Sequence, residues 1–393
     1  MSQKRIQRLA HARLRAIQWL VKPTQENQYV GVYIFRELPG EFSGFCLLHI
    51  VDVQDHWAWS ISKSWLFYIK YNEASFYATR ELTMLSEIIL AQERLSDYLC
   101  STLLEYSPEL DVWFKLENTN LTHSFKIRGA LNAVLSLDEQ GRERGIITAS
   151  SGNHAQGVAY AAHLTGTRAT ILMPAHTPQR KIDGVRQYGA EALAIYANYD
   201  EAEAAAHQMA QKSGFTFISP YNDRRVIAGA GTIGLEILAQ KPDVSRVIVP
   251  VGGGGLISGI GATIKSKKPD VQIIGVNAQS APAMTNAFYN LNHPEVWDTV
   301  AEALSGAIEP GAITLDLAKQ YVDQMAMVSE EQIATAMRWM ISHAGWLVEG
   351  GGAVGVAAVL HHVVPPQPNT VIVISGGNVD MQTVQQILCE SRS

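Results

Sequence analysis

Four short stretches hold residue types whose spacing suits chemistry. Gly252-Gly253-Gly254-Gly255 lies between an apolar run, RVIVPV, and a helix-like run, LISGIGATIK. Backbone without side chains lets a ligand approach closely. Its N–H groups, with the positive end of the following helix, favour a phosphate. The loop is not a Walker A motif, because no Lys-Ser/Thr follows it. It also lacks the glycine spacing and ribose-binding acid of a dinucleotide fingerprint. A tight turn needs fewer than four glycines.

Ser124-Phe125-Lys126 opens a predicted helix. A lysine there feels the positive helix end and, when desolvated, has a depressed pKa. The neutral amine that results can form a Schiff base. A lone lysine at a helix start is far more often plain solvated surface. Ser150-Ser151-Gly152-Asn153-His154 follows the apolar run GIITAS. Its hydroxyls, amide and exposed N–H groups could cradle a carboxylate or serve only as a helix cap. Ser375-Gly376-Gly377-Asn378 follows TVIVIS, and Ser375 offers a neutral hydroxyl at what is otherwise a turn.

These stretches sit at the ends of strands and the starts of helices. Apolar runs predict strands at 112–117, 145–150, 168–174, 192–197, 215–220, 246–251, 271–278 and 370–375. Helical patterns predict helices at 85–98, 124–137 with Ser124 as N-cap, 155–166, 178–189, 200–213 and 229–240. Another helix follows the glycines, and two more cover roughly 329–362. Apolar strands alternating with helices imply parallel sheets covered on both faces. Two such sheets, with a cleft between them, account for the residues from Met84 on. Ligands in such sheets sit beyond the carboxyl ends of the strands.

Composition narrows the function. The 393 residues are 47% apolar and 17% charged, ample for a buried core and unlike a disordered chain. A formal net charge of −6 gives no electrostatic footprint for nucleic acid or an anionic membrane. No run of 18 apolar residues predicts a membrane-spanning helix. Cys46, Cys100 and Cys389 are few, scattered and odd in number. They predict a reducing, cytoplasmic setting rather than a disulfide framework, and no Cys/His spacing suggests zinc.

Residues 1–83 differ from the rest. They hold 14 of the 32 aromatic residues, 3 of the 31 glycines and a net charge of +3, against −9 for the remainder. Their hydrophobic pattern has no clean period. Three readings fit: an extra domain, a targeting peptide whose basic residues are Lys4, Arg5, Arg8, Arg13, Arg15 and Lys22, or translated upstream sequence with Met84 as natural start. The third is the expectation, because the remainder forms a complete unit; the segment then carries no function.

SFKIRGA, SSGNHAQG, VGGGGLISG and SGGN, in this order and at these separations, resemble the fold-type II pyridoxal-phosphate enzymes. Within them the chain is similar to the serine/threonine dehydratase and serine racemase group, from about Met84 to the C-terminus. The resemblance implies a tryptophan synthase β-like α/β fold. Its large domain spans 84–147 and 226–393, its small domain 148–225, and the cofactor lies in the cleft. It implies that Lys126 carries pyridoxal 5'-phosphate as a Schiff base and that Phe125 packs on the cofactor ring. Asn153 would bond the ring hydroxyl oxygen, Gly252, Gly253, Gly254 and Gly255 the phosphate, and Ser375 the pyridine nitrogen. Ser150, Gly152 and His154 would bind the substrate carboxylate, Ser151 would face the reacting carbon, and Glu349 in VEGGGAVG would border the substrate pocket. A homodimer is implied in the same way.

The implied chemistry is coherent. A neutral Ser375 leaves the ring nitrogen unprotonated, which favours expelling a β-leaving group such as hydroxide. Lys126 is the natural base for the α-proton, and the phosphate the acid for the departing hydroxide. The expected activity is dehydration of a β-hydroxy amino acid, such as L-threonine or L-serine, to a 2-oxo acid and ammonia. The alternatives are an amino acid racemase using Lys126 and Ser151, a dehydratase of a bulkier substrate (a phenylserine or hydroxyectoine-derived acid), a binding protein without turnover, and a dinucleotide-binding protein. Two stretches depart from the family pattern. Asn277 and Ala283 stand where relatives carry the carboxylates of a divalent-cation loop, so no metal is expected. Ala301-Glu302-Ala303 replaces the usual Ala-Asp-Gly beside the cofactor. No regulatory domain follows Ser393, which predicts a catabolic rather than a feedback-controlled enzyme. Bland roles are expected for Trp339 and Trp346 (core or interface), His361-His362 (helix end), and Asp200, Glu201 and Glu203 (acidic first turn).

Overall fold

The computed structural model describes residues 48–53, 56–61, 83–296 and 298–389. The chain divides into two compact units, Met1–Thr79 and Arg80–Ser393. In the first, β1 (Leu48–Val53) pairs antiparallel with β2 (His56–Ile61). The readings of residues 1–83 otherwise lie outside the described residues.

The second unit is built on two sheets. Its elements begin with α1 (Met84–Leu95), β3 (Leu104–Ser107), β4 (Val112–Leu116), α2 (Lys126–Leu135), α3 (Glu139–Arg144), β5 (Ile146–Ala149), α4 (Asn153–Thr165) and β6 (Ala169–Pro174). Next come α5 (Gln179–Arg186), β7 (Glu191–Tyr196), α6 (Tyr199–Ser213), β8 (Thr216–Phe217), α7 (Arg224–Gln240), β9 (Arg246–Pro250), α8 (Gly255–Lys267) and β10 (Gln272–Ala278). The chain continues with α9 (Ala283–Tyr289), α10 (Ile313–Tyr321), β11 (Gln324–Val328), α11 (Glu330–Trp339), α12 (Gly350–Leu360), β12 (Thr370–Ile374) and α13 (Met381–Cys389). The larger sheet runs β11-β10-β9-β12-β4-β3, parallel except for the antiparallel edge strand β3. The smaller sheet, β7-β6-β5-β8, is parallel throughout. β5 begins at Ile146, so the expected small-domain boundary at 148 falls inside this strand.

Strand alternation fills both faces of the larger sheet. Ile372 and Ile374 face one core with Phe114 and Ile248, under α11 and α12. Val371 and Val373 face the other with Val247 and Val249, under α8. In the smaller sheet Ile146 and Ile171 pack against α2 and α4, while Ile147 and Leu172 pack against α6. Burial on both faces explains why these strands read as unbroken apolar runs. Trp339 packs edge-on to Phe114 with ring centroids 6.2 Å apart. Trp346 reaches Glu105 at 3.2 Å. Asp200 and Glu201 lie in the first turn of α6.

Several boundaries differ from expectation. Ser124 does not cap α2: it pairs with Gly376 in an isolated antiparallel bridge, and Phe125 is the N-cap without a side-chain bond. α7 starts at Arg224 rather than 229, because Asp223 accepts from the Arg225 N–H at 2.8 Å and caps it there. The helical stretch 329–362 breaks after a π-turn at Met340–Ala344, since Gly345 adopts φ 70°. That break places Glu349 at the N-cap of α12.

Candidate active site

The four stretches meet at the carboxyl ends of the strands. The loop after β12 lies against the start of α2: the Phe125 N–H donates to the Ser375 carbonyl at 3.0 Å, and the Gly377 N–H to that of His123 at 2.9 Å. Lys126 is half-buried in the first turn of α2, and its Nζ donates to the Pro220 carbonyl at 2.7 Å. Burial is the larger influence on this amine and lowers its pKa to about 8, although the carboxyl of Glu349 pulls the other way. A substantial neutral fraction near neutral pH is what imine formation requires.

The residue after Pro220 connects the lysine to the glycine loop. A Cβ on Gly253 would fall 2.4 Å from the Tyr221 ring, so only glycine fits against that aromatic face. Gly254 adopts φ 88° and is the N-cap of the 13-residue helix α8, with no side-chain cap. The main-chain N–H groups of the helix start are therefore left for a ligand, and an anion suits them. Tyr221 and Pro220 were not singled out from sequence, since neither belongs to a recognisable spacing.

The turn from β5 into α4 supplies the third part. Ser150, Ser151, Gly152 and Asn153 are half-buried, and the Ser150 hydroxyl accepts from the Gly152 N–H at 3.3 Å. Gly152 is the N-cap of α4 and provides no side-chain cap, so this second helix start can also meet a carboxylate. Asn153 donates through Nδ2 to Glu349 at 2.7 Å and accepts at Oδ1 from Asn378 at 2.8 Å. Glu349 is buried; burial raises its carboxyl to about 7, against the opposing bonds from Asn153 and the Asn378 main chain. A Cβ on Gly376 would meet the Glu349 carboxylate at 2.4 Å. Asn153, Gly376 and Glu349 therefore close together.

Of His154, only the main chain is placed for its expected role. Its ring is buried and hydrogen-bonded through Nε2 to the Ile218 carbonyl at 3.1 Å. Burial, then the charge of Lys126, lowers its pKa to about 3. The ring is neutral and turned into the smaller sheet's core, so only its main-chain N–H remains at the helix start for a carboxylate. Phe125 is partly buried and packs against the core on the α8 face of the larger sheet. Ser375 is buried at the end of β12.

The expected cation-loop position is filled by protein groups. Asn277 Nδ2 donates to Val251 and Ala281 carbonyls at 2.8 and 3.1 Å, and Oδ1 accepts from the Thr285 hydroxyl at 2.6 Å. Ala283 only opens α9. Among the described residues no group of three or more His, Cys, Asp or Glu is placed to hold a metal. Glu302 pairs with Lys181 at 2.8 Å.

Lys126, its pKa lowered by burial, is bonded to the Pro220 carbonyl, and the next residue, Tyr221, packs against the glycine-lined start of α8. The chain belongs to the pyridoxal-phosphate dependent enzyme family, whose model matches residues 95–376. It is 44% identical over 312 residues to the L-threonine ammonia-lyase of Thermotoga maritima, covering 77% of this chain and 78% of that protein. Its structure matches the processed threonine deaminase isoform 2 of Solanum lycopersicum at 33% identity, with TM-score 0.72 over 78% of this chain and 86% of that one. It also matches maize serine racemase at 31% identity, with TM-score 0.73 over 79% of this chain and 98% of that one. Pyridoxal phosphate is therefore the cofactor, and the uncapped start of α8 with its Cβ-free cradle fits a phosphate.

Proposed function

We propose that the chain is a pyridoxal-phosphate-dependent ammonia-lyase that dehydrates L-threonine or L-serine to a 2-oxo acid and ammonia. The observation that carries the reading is Lys126: an amine of pKa about 8, fixed on the carbonyl of Pro220, the residue before Tyr221, which packs on the glycine loop. The 44% identity to an L-threonine ammonia-lyase supports the substrate class. When bound, the cofactor supplies an electron sink for the pair left at the substrate's α-carbon.

The chain's own groups do the rest. Gly252 to Gly255 would hold the phosphate through main-chain N–H groups, Asn153 the ring oxygen and Ser375 the ring nitrogen, and Phe125 would flank the ring. The N–H groups at the start of α4, with Ser150 and Gly152, hold the substrate carboxylate. Lys126 Nζ takes the α-proton, and Ser151 lies beside the reacting carbon. The Cβ–O bond breaks and its oxygen leaves with a proton as water. The unsaturated amine released takes up water and yields the 2-oxo acid and ammonia. Glu349 borders the pocket.

The same reading carries a small-molecule substrate, a homodimer, a cytoplasmic location, a small domain around the smaller sheet (β5 to β8) and no part for residues 1–83. It is supported by site residues that all lie between 124 and 378, by a net charge of −6, and by three scattered cysteines. Among the described residues no helix is long and apolar enough to cross a membrane.

The test is product analysis with L-threonine, L-serine, D-serine, threo-3-hydroxyaspartate and phenylserine. A 2-oxo acid and equimolar ammonia from L-threonine or L-serine is expected. Inverted amino acid without 2-oxo acid would overturn the lyase reading in favour of a racemase.

A further inference from the structure

Asn378 has no role in the reading above, yet its side-chain amide and main-chain N–H together touch three parts of the site. Its Nδ2 donates to the Thr122 carbonyl at 2.9 Å and to Asn153 Oδ1 at 2.8 Å. Its main-chain N–H bonds the Glu349 carboxyl. An amide nitrogen has two hydrogens, and both are committed to acceptors. Turning the amide over would set its oxygen against two oxygens, so the neighbours fix its orientation.

That orientation passes to Asn153. Because Asn378 presents hydrogen, the Asn153 atom facing it must be the oxygen. The nitrogen of Asn153 then faces Glu349 Oε1 at 2.7 Å, and its second hydrogen is left for a further acceptor. Thr122 lies four residues before Lys126. One side chain therefore links the lysine's loop to the start of α4.

We infer that Asn378, with Glu349, is a positioning residue: it fixes the Asn153 amide as a hydrogen-bond donor toward the cofactor's ring oxygen and ties it to the loop bearing Lys126. The inference rests on the reading of Asn153 as a cofactor ligand. Without Asn378, only the Glu349 carboxyl orients the Asn153 amide, which then turns more easily to present an acceptor to an electron-rich oxygen. Asn378→Asp keeps the shape but has no hydrogens to give, so it drives that turn; Asn378→Ala only permits it.

The experiment uses the full chain loaded with pyridoxal phosphate. Cofactor dissociation is followed by fluorescence, and the bound cofactor's absorbance is titrated against pH. Asn378→Asp and Asn378→Ala are each expected to weaken cofactor retention about tenfold, the value of one hydrogen bond to a polar or charged partner, and to displace the absorbance midpoint. In an Asn153→Ala background the same changes are expected to add less than about twofold, because coupled residues do not contribute independently. If Asn153→Ala perturbs both readouts while both Asn378 variants leave them unchanged, the positioning role is refuted. Full multiplication of the two effects in the double variants also refutes it. If Asn153→Ala alone changes neither readout, Asn153 is not a cofactor ligand, and the inference falls with that reading.

Discussion

Replacing Glu236 by glutamine should destabilise the protein by several kcal/mol without touching the active site. Lys115, Glu117, Arg128 and Glu236 form a buried cluster, none more than 6% exposed. Lys115 Nζ donates to Glu236 at 2.5 Å, the Thr102 carbonyl at 2.9 Å and Gln240 at 3.0 Å. Arg128 donates to Glu117 at 2.7 and 2.9 Å, to Glu236 at 2.7 and 3.0 Å, and to Thr232 at 3.2 Å. Burial alone would lower the pKa of Arg128, but the two carboxylates overcome it and raise it. Both Glu236 oxygens accept only from donors, so an amide nitrogen at either position would face hydrogens. Two positive and two negative charges balance; the variant leaves one cation uncompensated. Breaking such a pair costs about 3–5 kcal/mol. At about 2 °C per kcal/mol for a domain of this size, the apparent Tm should fall by about 6 °C or more. The assay is thermal unfolding of cofactor-saturated protein at one scan rate. Adding Lys115→Met restores neutrality and should recover part of the loss, so the double variant should be more stable than the sum of the singles implies. A fall of less than about 2 °C, or strict additivity, would refute the reasoning; about 1 kcal/mol is the yield of an exposed pair.

Other outcomes follow from the same geometry. In cofactor-free protein, Lys126 should react with an amine-acylating reagent with a midpoint near pH 8, below the model lysine value of 10.5; peptide mapping of the acylated chain reads this. Gly253→Ala should weaken cofactor binding about tenfold or more, because its Cβ would lie 2.4 Å from the Tyr221 ring and displace the loop; a fluorescence titration measures it. His154, lowered to about 3, is neutral when folded and protonated when unfolded between that value and 6.5. Its contribution is therefore full above pH 6.5 and lost as pH falls toward 3, and the acid-unfolding midpoint of His154→Gln should lie below that of the parent. Glu349 has the opposite sign. Raised to about 7, it binds a proton in the folded state that the unfolded chain has released above 4.5. Stability should fall between those values, and Glu349→Gln should flatten that slope in denaturant titrations across pH.

The strands were legible in sequence because both faces of each sheet are covered, so Ile248, Ile372 and Val373 fall in unbroken apolar runs. β3 was not, because its burial pattern as an edge strand is mixed and its four residues, LEYS, are too few for a period. The site's glycines, Lys126 and Asn153 were legible because close approach and helix starts restrict residue type locally. Tyr221, Pro220 and the ring of His154 were not, because their roles depend on what another segment places beside them: Gly253, Lys126 and Ile218. Asn378 stood in a recognised motif, but its partners Thr122 and Asn153 are 256 and 225 positions away. The cap at Ser124 failed for a related reason: its pairing with Gly376 is long-range and overrides the local preference.

The most direct test of the central claim, that this cleft is a pyridoxal-phosphate site built on Lys126, is borohydride reduction of the cofactor-loaded chain followed by peptide mapping. The account predicts one reduced pyridoxyl adduct, on Lys126, absent in Lys126→Ala together with the release of 2-oxo acid from L-threonine. An adduct on another lysine, or undiminished 2-oxo acid release by Lys126→Ala, would contradict it.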